Sequence, residues 1–204
     1  LLQGKNIALV SDAGTPAISD PGEEIVREAI KNNLQIIPIP GACAFVNALI
    51  CSGFSTREFE FVGFLSKNNK EKKEKLSELK NESRTLIFYE SPHKLKNTLE
   101  IMIEILGDRE IVLAKEITKI HEEFIRGTIS EILSKLDTVK GEFVIVVQGA
   151  EKIDEEKEFL NNLTLKEHYK YYENKNFEKK EIIKMIAKDR GKNKNEIYQY
   201  FIQK

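Results

Sequence analysis

Cysteine is scarce in this 204-residue chain: Cys43 and Cys51 stand eight residues apart, with no Cys-x-x-Cys spacing and no histidine beside either. That excludes a disulfide framework and a zinc site of cysteine type, and it predicts two reduced, mostly buried thiols in a reducing compartment. Long apolar runs are also missing. No stretch approaches the length of a membrane span, and no signal sequence is evident, so the expected location is cytoplasmic, away from membranes. Charge of one sign is lacking overall: 32 Lys and Arg oppose 33 Asp and Glu, a formal net charge of −1. Only the distribution of charge can therefore point to nucleic acid. Hydrophobic residues at 41% are enough for a soluble globular protein, and the length allows two modest domains or one with an appendage.

What is present begins with the apolar run Ile7–Val10, the polar and glycine-bearing stretch Ser11–Gly22 and an amphipathic segment from Glu23. Strand, loop, helix is the expected order, and such a loop lies at the carboxyl end of a strand, where α/β folds bind ligands. Asp12 and Asp20 cannot be packed dry without partners, so they either cap backbone amides or hold a ligand. The loop lacks the Gly-Lys-Ser/Thr of a phosphate loop and the three-glycine dinucleotide fingerprint, and an ordinary connection stays open as an alternative. The chain opens on Leu1–Lys5, which reads as the last turn of a helix with Gly4 after it; the expectation is that residues upstream have been removed.

Further along, 23–33 reads as a helix with Ile25, Val26, Ala29 and Ile30 on one face, 35–39 as a short strand, and 42–51 as a buried helix of small apolar residues. A domain boundary is placed near Gly53. Strands are expected at 59–64, 85–89, 110–114, 123–126 and 143–147, the last continuous and central, with the short link before 123 favouring an antiparallel pairing. Helices are expected over 68–81, from Ser91-Pro92 to Leu106, and from the capping-box signature Thr128–Glu131 to Leu136. The lysines of 67–80 read as a solvated helix face, with contact to RNA as an alternative. Residues 151–158 read as a charged linker, and 159–204 as a small basic domain of three helices, with eleven Lys or Arg against six Asp or Glu and five interleaved tyrosines. That tail suits either a dimer-stabilising bundle or a helix-turn-helix module contacting RNA. Of the three histidines, His121 and His168 are expected to be solvated and His93 exposed.

The order of motifs narrows the reading. Ser11-Asp12-Ala13-Gly14-Thr15-Pro16-x-Ile18-Ser19-Asp20-Pro21-Gly22 is followed by Pro38-x-Pro40-Gly41-x-Cys43-Ala44, then Phe61-x-Gly63-Phe64-Leu65, Arg84-Thr85-Leu86-Ile87-Phe88-Tyr89-Glu90-Ser91-Pro92-His93-Lys94-Leu95 and Ala114-Lys115-Glu116-x-Thr118-Lys119. This series resembles the tetrapyrrole methylase superfamily and, within it, the ribosomal RNA small subunit methyltransferase I family, over roughly residues 4–150. The resemblance implies two α/β domains, the first (1–53) incomplete and the second at 54–150, with the helical appendage behind them. It implies S-adenosylmethionine as cofactor, no metal, and 2′-O-methylation of a cytidine in 16S ribosomal RNA of the small subunit, with a homodimer as a family tendency. The strand and acidic segment with which family members begin are absent, so an amino-terminally truncated chain with impaired activity is the expectation.

By the same resemblance, Asp12, Ala13, Gly14, Thr15 and Ile18 line the cofactor's amino-acid end, Cys43 and Ala44 contact it through backbone groups, and Tyr89 and Glu90 form the facing wall. Methyl transfer needs alignment and a means of taking up the ribose proton. Glu90, Lys115 and Glu116 all follow strands, and the expectation is that Glu90 or Glu116 accepts that proton beside Lys115. Against this stand two other readings: a precorrin or uroporphyrinogen methyltransferase, and a non-catalytic RNA- or ribosome-binding fragment.

Overall fold

A computed structural model describes residues 1–136, 140–151 and 155–202, the side chains of 155–158 and 202 aside. The chain forms two compact units, Leu1–Glu151 and Lys152–Lys204.

In the first unit the elements follow in the order α1 (Glu23–Lys31), α2 (Ala44–Ile50), β1 (Phe59–Phe64), α3 (Asn69–Glu78), β2 (Thr85–Glu90), α4 (Pro92–Leu106), β3 (Glu110–Lys115), β4 (Glu123–Thr128), α5 (Ile129–Lys135) and β5 (Phe143–Val147). The five strands make one mixed sheet in the order β1-β2-β5-β3-β4. β1 runs parallel to β2, while β5 is antiparallel to both its neighbours and β3 to β4. Every residue of β5 is buried, as its unbroken Phe-Val-Ile-Val-Val run requires of a strand covered on both faces. Alternation along each strand sorts its side chains between two cores. Leu86, Phe88, Phe143, Ile145 and Val147 pack with α3, α4 and α5. Ile87, Val144 and Val146 pack on the other face with Ala48 and Leu49 of α2.

Local signals place several boundaries. The Thr128 side chain accepts from the Glu131 amide and Glu131 returns to the Thr128 amide, the reciprocal cap expected from the sequence. Pro92 opens α4, but Ser91 makes no capping bond; its hydroxyl is directed to Glu90 instead.

Other expectations give way. Neither 7–10 nor 35–39 is a strand: neither has a ladder partner among the described residues, and Ile7, Val10, Ile37 and Ile39 are more than half exposed. β-propensity alone does not make a strand when no neighbour supplies the hydrogen bonds. On α1 only Ala29 is buried; Ile25 and Ile30 stay exposed. The cysteines are free, but Cys51 is exposed and Cys43 only half-buried, not the buried pair expected.

The second unit holds α6 (Glu155–Asn162), α7 (Leu165–Glu173), α8 (Lys179–Asp189) and α9 (Lys194–Ile202). The first of these begins inside the stretch read as a linker. Ile182, Ile183 and Ile186 of α8 form the core with Leu160, Tyr172 and Ile197. His168, expected to be solvated, is fully buried. Its Nδ1 accepts from Arg190 Nε at 3.2 Å, and its Nε2 stands 3.2 Å from Asp189 Oδ2, an arrangement that a neutral ring with its proton on Nε2 satisfies at both ends. Burial, then the Arg190 charge, pushes its pKa below the ordinary 6.5 despite Asp189. A base whose folded-state pKa is depressed supports folding above its unfolded value and loses that support as pH falls through the folded one. Five of the six tyrosines lie in this unit, so tyrosine fluorescence reports on it. Its melting temperature should fall as pH drops from 7 towards 5, and a His168→Leu chain should show a flatter profile over that range.

Candidate functional site

The carboxyl ends of β1, β2 and β3 and the start of β5 meet beneath the loop Ser11–Gly22, and between them lies a cavity of about 550 Å³. Its walls come from segments far apart in sequence: Asp12 to Thr15 with Ile18 to Asp20, Ala42 to Ala44, Phe64, Tyr89 to Pro92, Ala114, Ile117 to Lys119 and Glu142 to Val144. The volume is that of a pocket for one small organic ligand.

Two loops are tied together by one carbonyl. Ala42 O accepts from the Thr15 amide at 2.9 Å and from the Thr15 hydroxyl at 3.2 Å. Gly14, at φ +75°, leaves room for this approach; a Cβ there would stand 2.7 Å from Ala42 O. Its conformation is one that glycine adopts without strain. Asp12 and Asp20 are exposed, so neither is packed dry, and neither caps a backbone amide among the described residues.

Tyr89 joins the loop side to the sheet. A bulge between Phe61 and Gly63 shifts the register so that Phe64 comes beside Tyr89, with ring centroids 5.5 Å apart. The Phe61 ring meets Tyr89 edge-on at 5.1 Å and stacks on Phe45 at 4.5 Å. The Tyr89 hydroxyl accepts from the Phe45 amide in the first turn of α2 at 3.3 Å. Burial raises its pKa, so it stays neutral. Phe64 is 60% exposed on the cavity wall, an aromatic face open to a planar ligand.

Glu90 ends β2 on the same face as Phe88 and is only 4% exposed. Its Oε1 accepts from the Ser91 amide at 2.8 Å and its Oε2 from the Thr98 hydroxyl at 2.6 Å. Glu116 is held differently. Its Oε1 accepts from the Glu142 amide at 2.8 Å and from Lys119 at 3.2 Å, and those bonds, the amide first, hold its pKa below the usual carboxylate range. Lys119 also pairs with Glu142 at 3.1 Å. Glu116 thus ties the 116–119 loop to the 141–142 turn at the cavity rim.

All the residues expected to touch cofactor, Asp12, Ala13, Gly14, Thr15, Ile18, Cys43, Ala44, Tyr89 and Glu90, line this one cavity. Of the three expected to take part in proton transfer, only Glu90 does. Lys115 and Glu116 are not among the lining residues, and Lys115 Nζ sits 3.6 Å from Glu123. Phe64, Lys119 and Phe143 are wall residues given no site role from the sequence, although Phe64 and Lys119 stand within the quoted motifs. The sequence signal for Phe64 is its place at the end of the strand beside β2.

Residues 1–133 match the family model of the tetrapyrrole (corrin/porphyrin) methylases, which makes the chain a methylase of that class. The solved methyltransferase CobJ shares the fold, with a TM-score of 0.55 at 20% identity over 73% of this chain and 66% of that one. Closer likeness lies elsewhere. The ribosomal RNA small subunit methyltransferase I of Bacillus subtilis (strain 168) is 52% identical over 97% of this chain and 69% of its own length, and that of Halalkalibacterium halodurans is 48% identical over 100% and 71%. The chain belongs to the ribosomal RNA small subunit methyltransferase I family, within the S-adenosylmethionine-dependent methylases of tetrapyrrole type.

Proposed function

We propose that the cavity under Ser11–Gly22 holds S-adenosylmethionine and that the chain's activity is 2′-O-methylation of a cytidine in 16S ribosomal RNA. The observation that carries the cofactor assignment is the convergence of 12–18, 43–44 and 89–90 on one cavity of fitting volume. The donor set fits a cationic ligand: four carboxylates, Asp12, Asp20, Glu90 and Glu142, line the walls, the last of them paired with the one lining lysine, Lys119. When bound, the cofactor supplies a methyl group on an electrophilic sulfonium. The protein's own part is alignment, which accounts for most of the acceleration available to an in-line displacement. The Thr15–Ala42 link fixes the loop walls, Phe64 and Tyr89 offer an aromatic wall, and the Glu116–Lys119–Glu142 cluster holds the rim. Of Glu90, Lys115 and Glu116, the residues considered for uptake of the ribose proton, only Glu90 lines the cavity, and both of its oxygens already accept hydrogen bonds there.

For RNA, the exposed lysines 179, 180, 184 and 188 of α8, with 192 and 194 beyond it, give the second unit a basic surface suited to phosphate contact. The decisive experiment incubates the full-length protein and labelled S-adenosylmethionine with isolated small subunits or with naked 16S RNA, then digests the RNA to nucleosides. Label recovered in 2′-O-methylcytidine is the expected result, with small subunits as the better substrate. Label on a base, or none in either RNA, would refute the reading.

A further inference from the structure

Lys72 is 1% exposed, although it lies on α3, whose other lysines face solvent or pair at the surface. An ammonium placed there is costly, and packing alone would be served better by an apolar side chain. Its partners show what the charge does. Lys72 Nζ donates to Thr98 Oγ1 at 2.8 Å and to Asn97 Oδ1 at 3.2 Å. A lysine ammonium has donors only, so the Thr98 oxygen must accept, and the hydroxyl's own proton is left for its other neighbour, Glu90 Oε2 at 2.6 Å. Oε2 is thereby held as an acceptor: a proton on that oxygen would face the Thr98 proton. The Ser91 amide holds Oε1 in the same way. Three side chains that are each nearly or fully buried thus run from beneath α3 and α4 to the cavity wall.

We propose that Lys72 is a positioning residue of this site: through the Thr98 hydroxyl it fixes Glu90 as an oriented carboxylate, preset to face a cationic group of the ligand, a sulfonium by charge alone or an ammonium by a hydrogen bond as well. The electrostatics around Lys72 agree. Burial pulls its pKa down and nearby Lys94 does likewise, while Glu90 is the group that raises it. The inference rests on the assignment of the cavity to S-adenosylmethionine, and the test separates the two.

Affinity for S-adenosylmethionine is measured by calorimetry on the full-length protein and on K72M, K72R, T98V, T98S, E90Q and K72M/E90Q, each checked for folding by thermal melting. Loss of the relay should raise the dissociation constant about fivefold in K72M and T98V, the scale of one ordinary hydrogen bond, while K72R and T98S stay within about twofold of the parent. E90Q should cost about tenfold, and K72M/E90Q should be no weaker than E90Q, because Lys72 then has nothing left to position. A K72M effect of equal size in both backgrounds would overturn the proposal by showing that Lys72 acts through packing. The side-chain carboxyl ¹³C resonance of Glu90, assigned by its loss in E90Q, reads the relay without cofactor: it should move in K72M and T98V and hold in K72R. An unmoved resonance in K72M refutes the relay. A resonance that moves as expected, with no change in affinity for any variant including E90Q, refutes the cofactor assignment, and the role proposed for Lys72 falls with it.

Discussion

Gly14→Ala should weaken S-adenosylmethionine binding by about thirtyfold or more, while the unfolding of the sheet unit stays close to that of the parent. The new Cβ would meet Ala42 O at 2.7 Å, and the backbone at φ +75° is strained for any L side chain. Left-handed strain costs about 1–2 kcal/mol, and the clash adds to it. Relief requires the 12–18 loop to draw away from 42–44, which breaks the two Thr15 bonds to Ala42 O and parts two walls of the cavity. A total near 2 kcal/mol corresponds to the stated loss in affinity. The loop itself is exposed and contributes nothing to the two sheet cores, so differential scanning calorimetry should show little change. Calorimetric titration with S-adenosylmethionine is the check, and parental affinity would mean that this loop does not hold the ligand.

Gly149→Ala should be the most damaging small substitution to stability. A Cβ at that position would lie 2.0 Å from Ser83 O and 2.8 Å from Arg84 O, all main-chain atoms that cannot rotate aside. Nor is the opposing turn free to move. The Ala150 amide donates to Glu82 O at 2.6 Å, and Arg84 is clamped between Glu82 at 2.8 Å and Glu60 at 2.6 Å. The clamp holds the Glu82 pKa down to about 2, chiefly through its hydrogen bonds with Arg84. Overpacking against fixed backbone costs about 3 kcal/mol, which lowers the melting temperature of a unit this size by about 8 °C. Thermal denaturation followed by circular dichroism decides it: a fall of less than about 2 °C would show that the 82–84 turn can yield.

The parts of the fold that were legible in the sequence carry their signals locally. The reciprocal cap at Thr128, Pro92 at the head of α4, the unbroken apolar run of β5 and the short link that makes β3 and β4 antiparallel all depend on neighbours in sequence. Residues 7–10 and 35–39 have the composition of strands but not the partners, and pairing is a property of the whole sheet. His168 fails for the same reason: it stacks on Tyr172 of its own helix, but its polar partners, Asp189 of α8 and Arg190 just after it, are distant in sequence. Lys72 was readable and was missed. It stands four residues before Leu76 and seven before Leu79, on the buried stripe of α3, and treating the lysines as one solvated face hid a position that the helical period singles out. In the candidate site, motif order brought the loop, Cys43-Ala44 and Tyr89-Glu90 together correctly as neighbours. It could not show that Lys115 turns to Glu123 or that Glu116 is spent on the rim, because those outcomes depend on where the 116–119 loop crosses the 141–142 turn.

The cavity is bounded by two materials of unequal durability. One wall is β5 and β2, whose amides sit in a ladder hydrogen-bonded on both sides. The other is a segment with no ladder of its own, tied near Gly14 by two bonds to a single carbonyl. Amide protons of the first should exchange with solvent only through opening of the whole unit, and those of the second through small local excursions. A ligand spanning both would therefore slow exchange mainly on the loop side, and part of its interaction energy would go into ordering that wall, which lowers the affinity observed below what its contacts alone would provide.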